Sequence, residues 1–86
     1  MSRGNFLLNK AYRNYRKWCD DNGYAFMQHS IDNSGCENHE GKEYVILRNN
    51  SDILSVWLVG DGDRLSSIDY EDYPESLQKE FDYCNG

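Results

Sequence analysis

Glu43-Tyr44-Val45-Ile46-Leu47-Arg48 and Ile53-Leu54-Ser55-Val56-Trp57-Leu58-Val59, joined by Asn49-Asn50-Ser51-Asp52, decide the fold. Both runs are rich in Val, Ile, Leu and aromatic side chains, and the four residues between them are turn formers. They read as a β-hairpin with a four-residue turn. Each run is apolar on both faces, which suits a strand at the centre of a sheet and covered on both sides. Toward the C-terminus, Gly60-Asp61-Gly62-Asp63 forms a second turn into a short strand over residues 64–68. Toward the N-terminus, residues 24–31 read as the first strand. The polar, glycine-punctuated stretch 32–42 reads as a loop.

Helices flank this sheet. Over residues 5–22, Leu8, Ala11, Tyr12, Tyr15, Trp18 and Cys19 fall within an arc of about 120°, an amphipathic core face. Lys10, Arg13 and Lys17 fall opposite, and Asn22-Gly23 supplies a stop because glycine readily takes the left-handed cap. At Asp72-Tyr73-Pro74-Glu75 a second helix begins. Asp72 is placed to accept from the Glu75 backbone N–H, proline tolerates the first turn, and Leu77, Phe81 and Cys84 form the buried stripe. The expectation is an α+β fold: a small antiparallel meander of three or four strands, packed by an N-terminal and a C-terminal helix.

At 86 residues the chain is one small domain, 1–86, with 38% hydrophobic residues and twelve aromatics for its core. No stretch approaches the roughly 20 apolar residues that cross a bilayer, and the start lacks the layout of a secretory signal. Cys19, Cys36 and Cys84 are an odd, widely spaced set without a Cys-x-x-Cys pair. That pattern points to a reducing, cytoplasmic compartment.

The chemistry of enzymes and metal sites finds little purchase. His29, Cys36 and His39 lie within eleven residues, but a structural zinc site needs four converging donors in tight pairs. Only Cys36-Glu37-Asn38-His39 is a tight pair, and the fourth ligand would have to come from Cys19, Cys84 or Glu40. The simpler reading is a polar loop with an incidental Cys and His, so no metal is assigned. Cys36 and His39 as nucleophile and base lack any strand-to-helix elbow. Asp61-Gly62-Asp63 opens like a calcium loop, yet Leu65 and Ser66 stand where an oxygen ligand and a glycine are required. Phosphate-cradling glycine motifs are absent as well. No catalytic residue and no cofactor is assigned, and the chain is read as a non-enzyme.

Charge is distributed unevenly. Residues 1–22 hold five Lys/Arg against two Asp, whereas residues 51–86 hold two Lys/Arg against nine acids, within a net charge of −6. The basic face of the first helix, Lys10, Arg13, Arg16 and Lys17, could lie along phosphates. An acidic chain is repelled by a polyanion, however, so direct nucleic-acid binding is the alternative reading. The acidic half offers the sharper one. Asp61, Asp63, Asp69, Glu71, Asp72 and Glu75 are interleaved with Tyr70 and Tyr73. Carboxylates clustered on a scaffold present a field like that of a phosphate backbone, and tyrosines add contact area. The bland counterpart is an acidic surface that keeps a small domain soluble.

Elimination leaves binding as the most economical function. The expectation is an inhibitor or adaptor that engages a basic surface of a nucleic-acid-processing protein or complex through this acidic, aromatic face. In size and charge it is comparable to phage-encoded anti-defence proteins (anti-CRISPR proteins among them), DNA mimics and nuclease immunity proteins. No motif ties it to one such family. If phage-encoded, it would act in the host cytoplasm. The basic face of one copy meeting the acidic face of another would also give a homodimer.

Overall fold

The computed structural model describes residues 3–25, 34–49 and 52–85, without the side chains at 84 and 85. In chain order the elements are α1 (Arg3–Asn22), β1 (Gly35–His39), β2 (Lys42–Asn49), β3 (Asp52–Val59), β4 (Leu65–Ile68) and α2 (Glu75–Asn85). The four strands form one antiparallel meander in the order β1-β2-β3-β4, between an N-terminal and a C-terminal helix. The α+β architecture read from the sequence is therefore present.

The central pair holds the molecule together because it contributes to both faces. Val45 pairs with Trp57 and Ile46 with Val56, and alternation sends successive side chains to opposite sides. Leu7 and Ala11 of α1 pack with Val45, Leu47 and Trp57 on one face. Leu77 of α2 packs with Tyr44, Ile46, Ile53 and Val56 on the other. A β-bulge between Leu47 and Arg48 shifts the partners from Ser55 to Ile53, leaving Leu54 as the extra residue. Leu54 packs with the α1-side cluster, and Ser55 accepts a 2.9 Å hydrogen bond from the Trp57 indole.

The expected first strand at residues 24–31 lies largely outside the described residues, and Tyr24 and Ala25 belong to no strand. The first strand is instead Gly35–His39, inside the stretch read as a loop. Its pairing with β2 runs from Gly35↔Ile46 to His39↔Lys42, closed by a two-residue turn at Glu40 and Gly41. Both turn residues have positive φ, 54° and 79°, the requirement of a type I′ turn whose twist matches the flanking strands. Turn geometry and the strand partner override the weak strand propensity of Gly-Cys-Glu-Asn-His. The β2–β3 ladder closes at Asn49↔Asp52, with β2 one residue longer at each end than expected and β3 one residue longer at its start.

Two local expectations are corrected. Asp72 does not cap α2: a 3-10 turn, Tyr70–Asp72, intervenes, and helical bonding starts at the Pro74 carbonyl, which accepts from Leu77 and Gln78 at 2.9 Å. The α1 face is also rotated from the expected arc. Leu7, Ala11 and Cys19 are the buried residues, whereas Trp18 is 45% exposed. The reason lies in where α1 rests. It packs along β1 and β2, so the Trp18 edge overhangs β3 and β4 rather than entering the core.

Candidate protein-interaction surface

After β4 the chain turns sharply toward α2, and three rings pin that turn. Tyr70, Tyr73 and Phe81 have centroids 5.4 to 6.0 Å apart, tilted or edge-to-face as aromatic quadrupoles prefer. The Tyr70 hydroxyl donates to Asp82 at 2.9 Å, and the Gln78 side-chain amide donates to the Tyr70 carbonyl at 3.0 Å. The hydrogen bond to Asp82 raises the pKa of Tyr70. Backbone bonds from the Asp72 N–H to Asp69 and from the Tyr73 N–H to Tyr70 complete the turn. A turn fixed in this way holds Asp69, Glu71 and Asp72 in solvent. None of these three carboxylates has an ion-pair partner among the described residues. Glu75 follows, 3.3 Å from Lys79 on the exposed side of α2.

Beside this turn lies a cleft of about 210 Å³ between α1 and the β3–β4 strands. Five aromatic side chains line it: Tyr15 and Trp18 from α1, Trp57 from β3, and Tyr70 and Tyr73 from the turn. Leu54 and Ile68 add apolar surface, while Ser55, Ser67 and Asp69 supply the oxygens. Trp18 is stacked at near-parallel angles with Tyr15 and with Tyr24, centroids 6.1 and 5.3 Å away. Tyr24 is 61% exposed and extends the aromatic surface beyond the cleft. Burial, with a lesser contribution from Cys19, pushes the Tyr15 hydroxyl up to about 12. Burial and then the charge of Asp69 raise that of Tyr73.

Of the expected acidic face, Asp69, Tyr70 and Tyr73 meet at the cleft, and Glu71, Asp72 and Glu75 continue its rim along the chain. Asp61 and Asp63 sit at the other end of β4, in the 3-10 turn Asp61–Asp63. Asp63 is engaged there. Arg3 reaches it at 2.8 Å while also holding Glu43 at 2.7 Å, and the Lys10 ammonium donates to the Asp63 carbonyl at 2.8 Å. Lys10 thus ties α1 to the β3–β4 turn, while Arg13, Arg16 and Lys17 remain on the exposed side of the helix.

Cys36 and His39, close in sequence, point to opposite faces of β1. The Cys36 thiol lies 3.8 Å from the Gly4 carbonyl under α1, and His39 faces α2. His29 is outside the described residues. On the α2 side His39 belongs to a polar network that sequence reading missed. Its Nε2 lies 3.0 Å from Glu37 and its Nδ1 2.8 Å from the Ser76 hydroxyl. Arg48, 9% exposed, donates to Glu37 at 2.8 Å and to Glu80. The hydroxyl–imidazole–carboxylate order is that of a nucleophile, base and orienting group. Here Arg48 occupies the other carboxylate oxygen, and the five groups tie α2 to β1 and β2. The one signal in the sequence was Arg48 at an otherwise apolar strand end, since a buried guanidinium requires carboxylate partners.

None of the described helices is long and apolar enough to cross a membrane. Comparison with family models, with curated proteins and with solved structures finds no match for the chain.

Proposed function

We propose that the protein is a non-enzymatic inhibitor or adaptor whose acidic, tyrosine-bearing edge at residues 69–75 engages a basic surface of a nucleic-acid-processing protein or complex. The observation carrying this reading is the set of exposed carboxylates at Asp69, Glu71 and Asp72, held without cationic partners among the described residues on a turn pinned by three rings. Unpaired charges on a rigid support attract a complementary surface at long range and lose little conformational freedom on docking. An anti-defence protein or DNA mimic acting in the cytoplasm would work in this way.

The test is capture of binding proteins from bacterial lysate on the tagged chain, with nuclease treatment and duplex-DNA competition. Support takes the form of a basic nucleic-acid-binding protein that survives nuclease, is displaced by DNA and is lost from the double variant Asp69→Lys/Glu71→Lys. Recovery of nucleic acid itself, lost when Lys10, Arg13, Arg16 and Lys17 are neutralised, would overturn the proposal in favour of the basic face of α1.

A further inference from the structure

The geometry points to the cleft between α1 and β4 as the receptor for one arginine side chain of the partner, an assignment that rests on the acidic-edge reading above. At about 210 Å³ the cleft is smaller than the roughly 300–1,000 Å³ of small-molecule sites. It suits a single long side chain rather than a cofactor. Its lining is rich in π surface from Trp18, Trp57 and Tyr70, and among the described residues its one charged member is Asp69. None of the described residues lining it carries a positive charge. Aromatic surface and a carboxylate together attract a cation that is cheaply desolvated, which favours guanidinium over ammonium. The planar group can stack on a ring while its N–H fork meets the carboxylate and the Ser67 hydroxyl. The site also sits where the acidic rim would bring a basic surface, so long-range attraction and local anchoring coincide.

The two tryptophans of the chain, Trp18 and Trp57, both line the cleft, so their indole N–H signals in two-dimensional NMR report occupancy directly. The probes are acetyl-Gly-Arg-Gly-amide, its citrulline and lysine counterparts, hexalysine and a tetrathymidylate. The arginine peptide should shift both indole signals saturably. The neutral, near-isosteric citrulline peptide should bind about tenfold more weakly, and lysine less tightly than arginine. Asp69→Asn, at an exposed position, should weaken the arginine peptide about fivefold with an unchanged circular-dichroism spectrum. Equal binding of arginine and citrulline overturns the assignment, as does a response of the indoles to tetrathymidylate but not to arginine. If the indoles stay still while hexalysine shifts the Glu71 and Asp72 amides, the cleft assignment fails and the acidic-edge reading stands. If no cationic probe moves either set, both fail.

Discussion

Arg48 shows how one residue sets the terms for five. Its guanidinium lies on the α2 side of β2, where burial alone would lower its pKa; hydrogen bonds to Glu37 and Glu80 reverse this and raise it. Burial likewise pushes Glu37 upward, but Arg48 and His39 outweigh it and hold the carboxyl below its ordinary value. Removing the cation takes the charged partner from Glu80 and leaves Glu37 with His39 alone. Both carboxylates are more than a third exposed, so water screens part of the cost. Arg48→Met should therefore destabilise the protein by roughly 1–3 kcal/mol in urea unfolding, between the values for exposed and buried pairs. Arg48→Lys should recover only part of it, since one ammonium cannot present two divergent N–H pairs. The same pairing fixes an acid limb. Folded Glu37 binds its proton less tightly than the unfolded chain, so its contribution is complete above about pH 4.3 and declines as pH falls through the lower folded value. Urea midpoints from pH 6 to pH 3 should fall more steeply for the parent than for Glu37→Gln. Parallel curves would contradict this account of the network.

At the scale of an element, β1 is the informative case. Five residues of low strand propensity are held by a partner strand on one side and a tight turn at one end, so the turn should carry disproportionate weight. Glu40 adopts φ 54°, a conformation that costs an L-residue with a straight side chain about 1–2 kcal/mol. Glu40→Asn should stabilise the hairpin by about 0.5–1 kcal/mol, asparagine being the favoured first residue of a type I′ turn. Gly41→Ala, at φ 79° and with open space around the added methyl, should cost about 1–2 kcal/mol from backbone strain alone. Thermal melts of the two variants, moving in opposite directions, would check both. The element also marks the limit of what was legible beforehand. β2 and β3 announce themselves by apolar runs, and α1 by its periodicity, because their own side chains supply the burial that forms them. β1 is polar: its hairpin with β2 closes locally, but the side-chain partners of Glu37 and His39, Arg48 and Ser76, lie 11 and 37 residues away, so its own residues carry no apolar pattern that marks a strand. The cleft was hidden for a related cause. Trp18 shares a helical face with Cys19, and only the lateral placement of α1 over β1 and β2 decides that one is buried and the other overhangs.

The whole molecule has two cores separated by one sheet, and its cooperativity depends on how strongly the sheet couples them. Leu7 and Leu77, each within 1% of complete burial, centre the two sides. The clusters share no side chain, yet Val45 and Leu47 of one alternate along β2 with Tyr44 and Ile46 of the other. Neither face of the central hairpin can lose its cover without exposing backbone bonds that support the opposite face. For a chain of 86 residues the total stability is about 4–13 kcal/mol, and truncating a buried leucine costs about 2–5 kcal/mol. Either truncation therefore removes a large share of the total. Leu7→Ala and Leu77→Ala should each lower the unfolding free energy by this amount, moving the urea midpoint down while leaving the denaturant slope unchanged, as expected when all the surface is exposed in one step. Both tryptophans lie on the α1 side, so Leu77→Ala is the sharper of the two tests. Its tryptophan emission should unfold at the same urea concentration as its circular dichroism, although the lesion lies across the sheet. Emission that persists after part of the helical signal has gone would mean that the α2 layer detaches alone. In that case the acidic turn leading into α2 could not serve as a rigid docking edge.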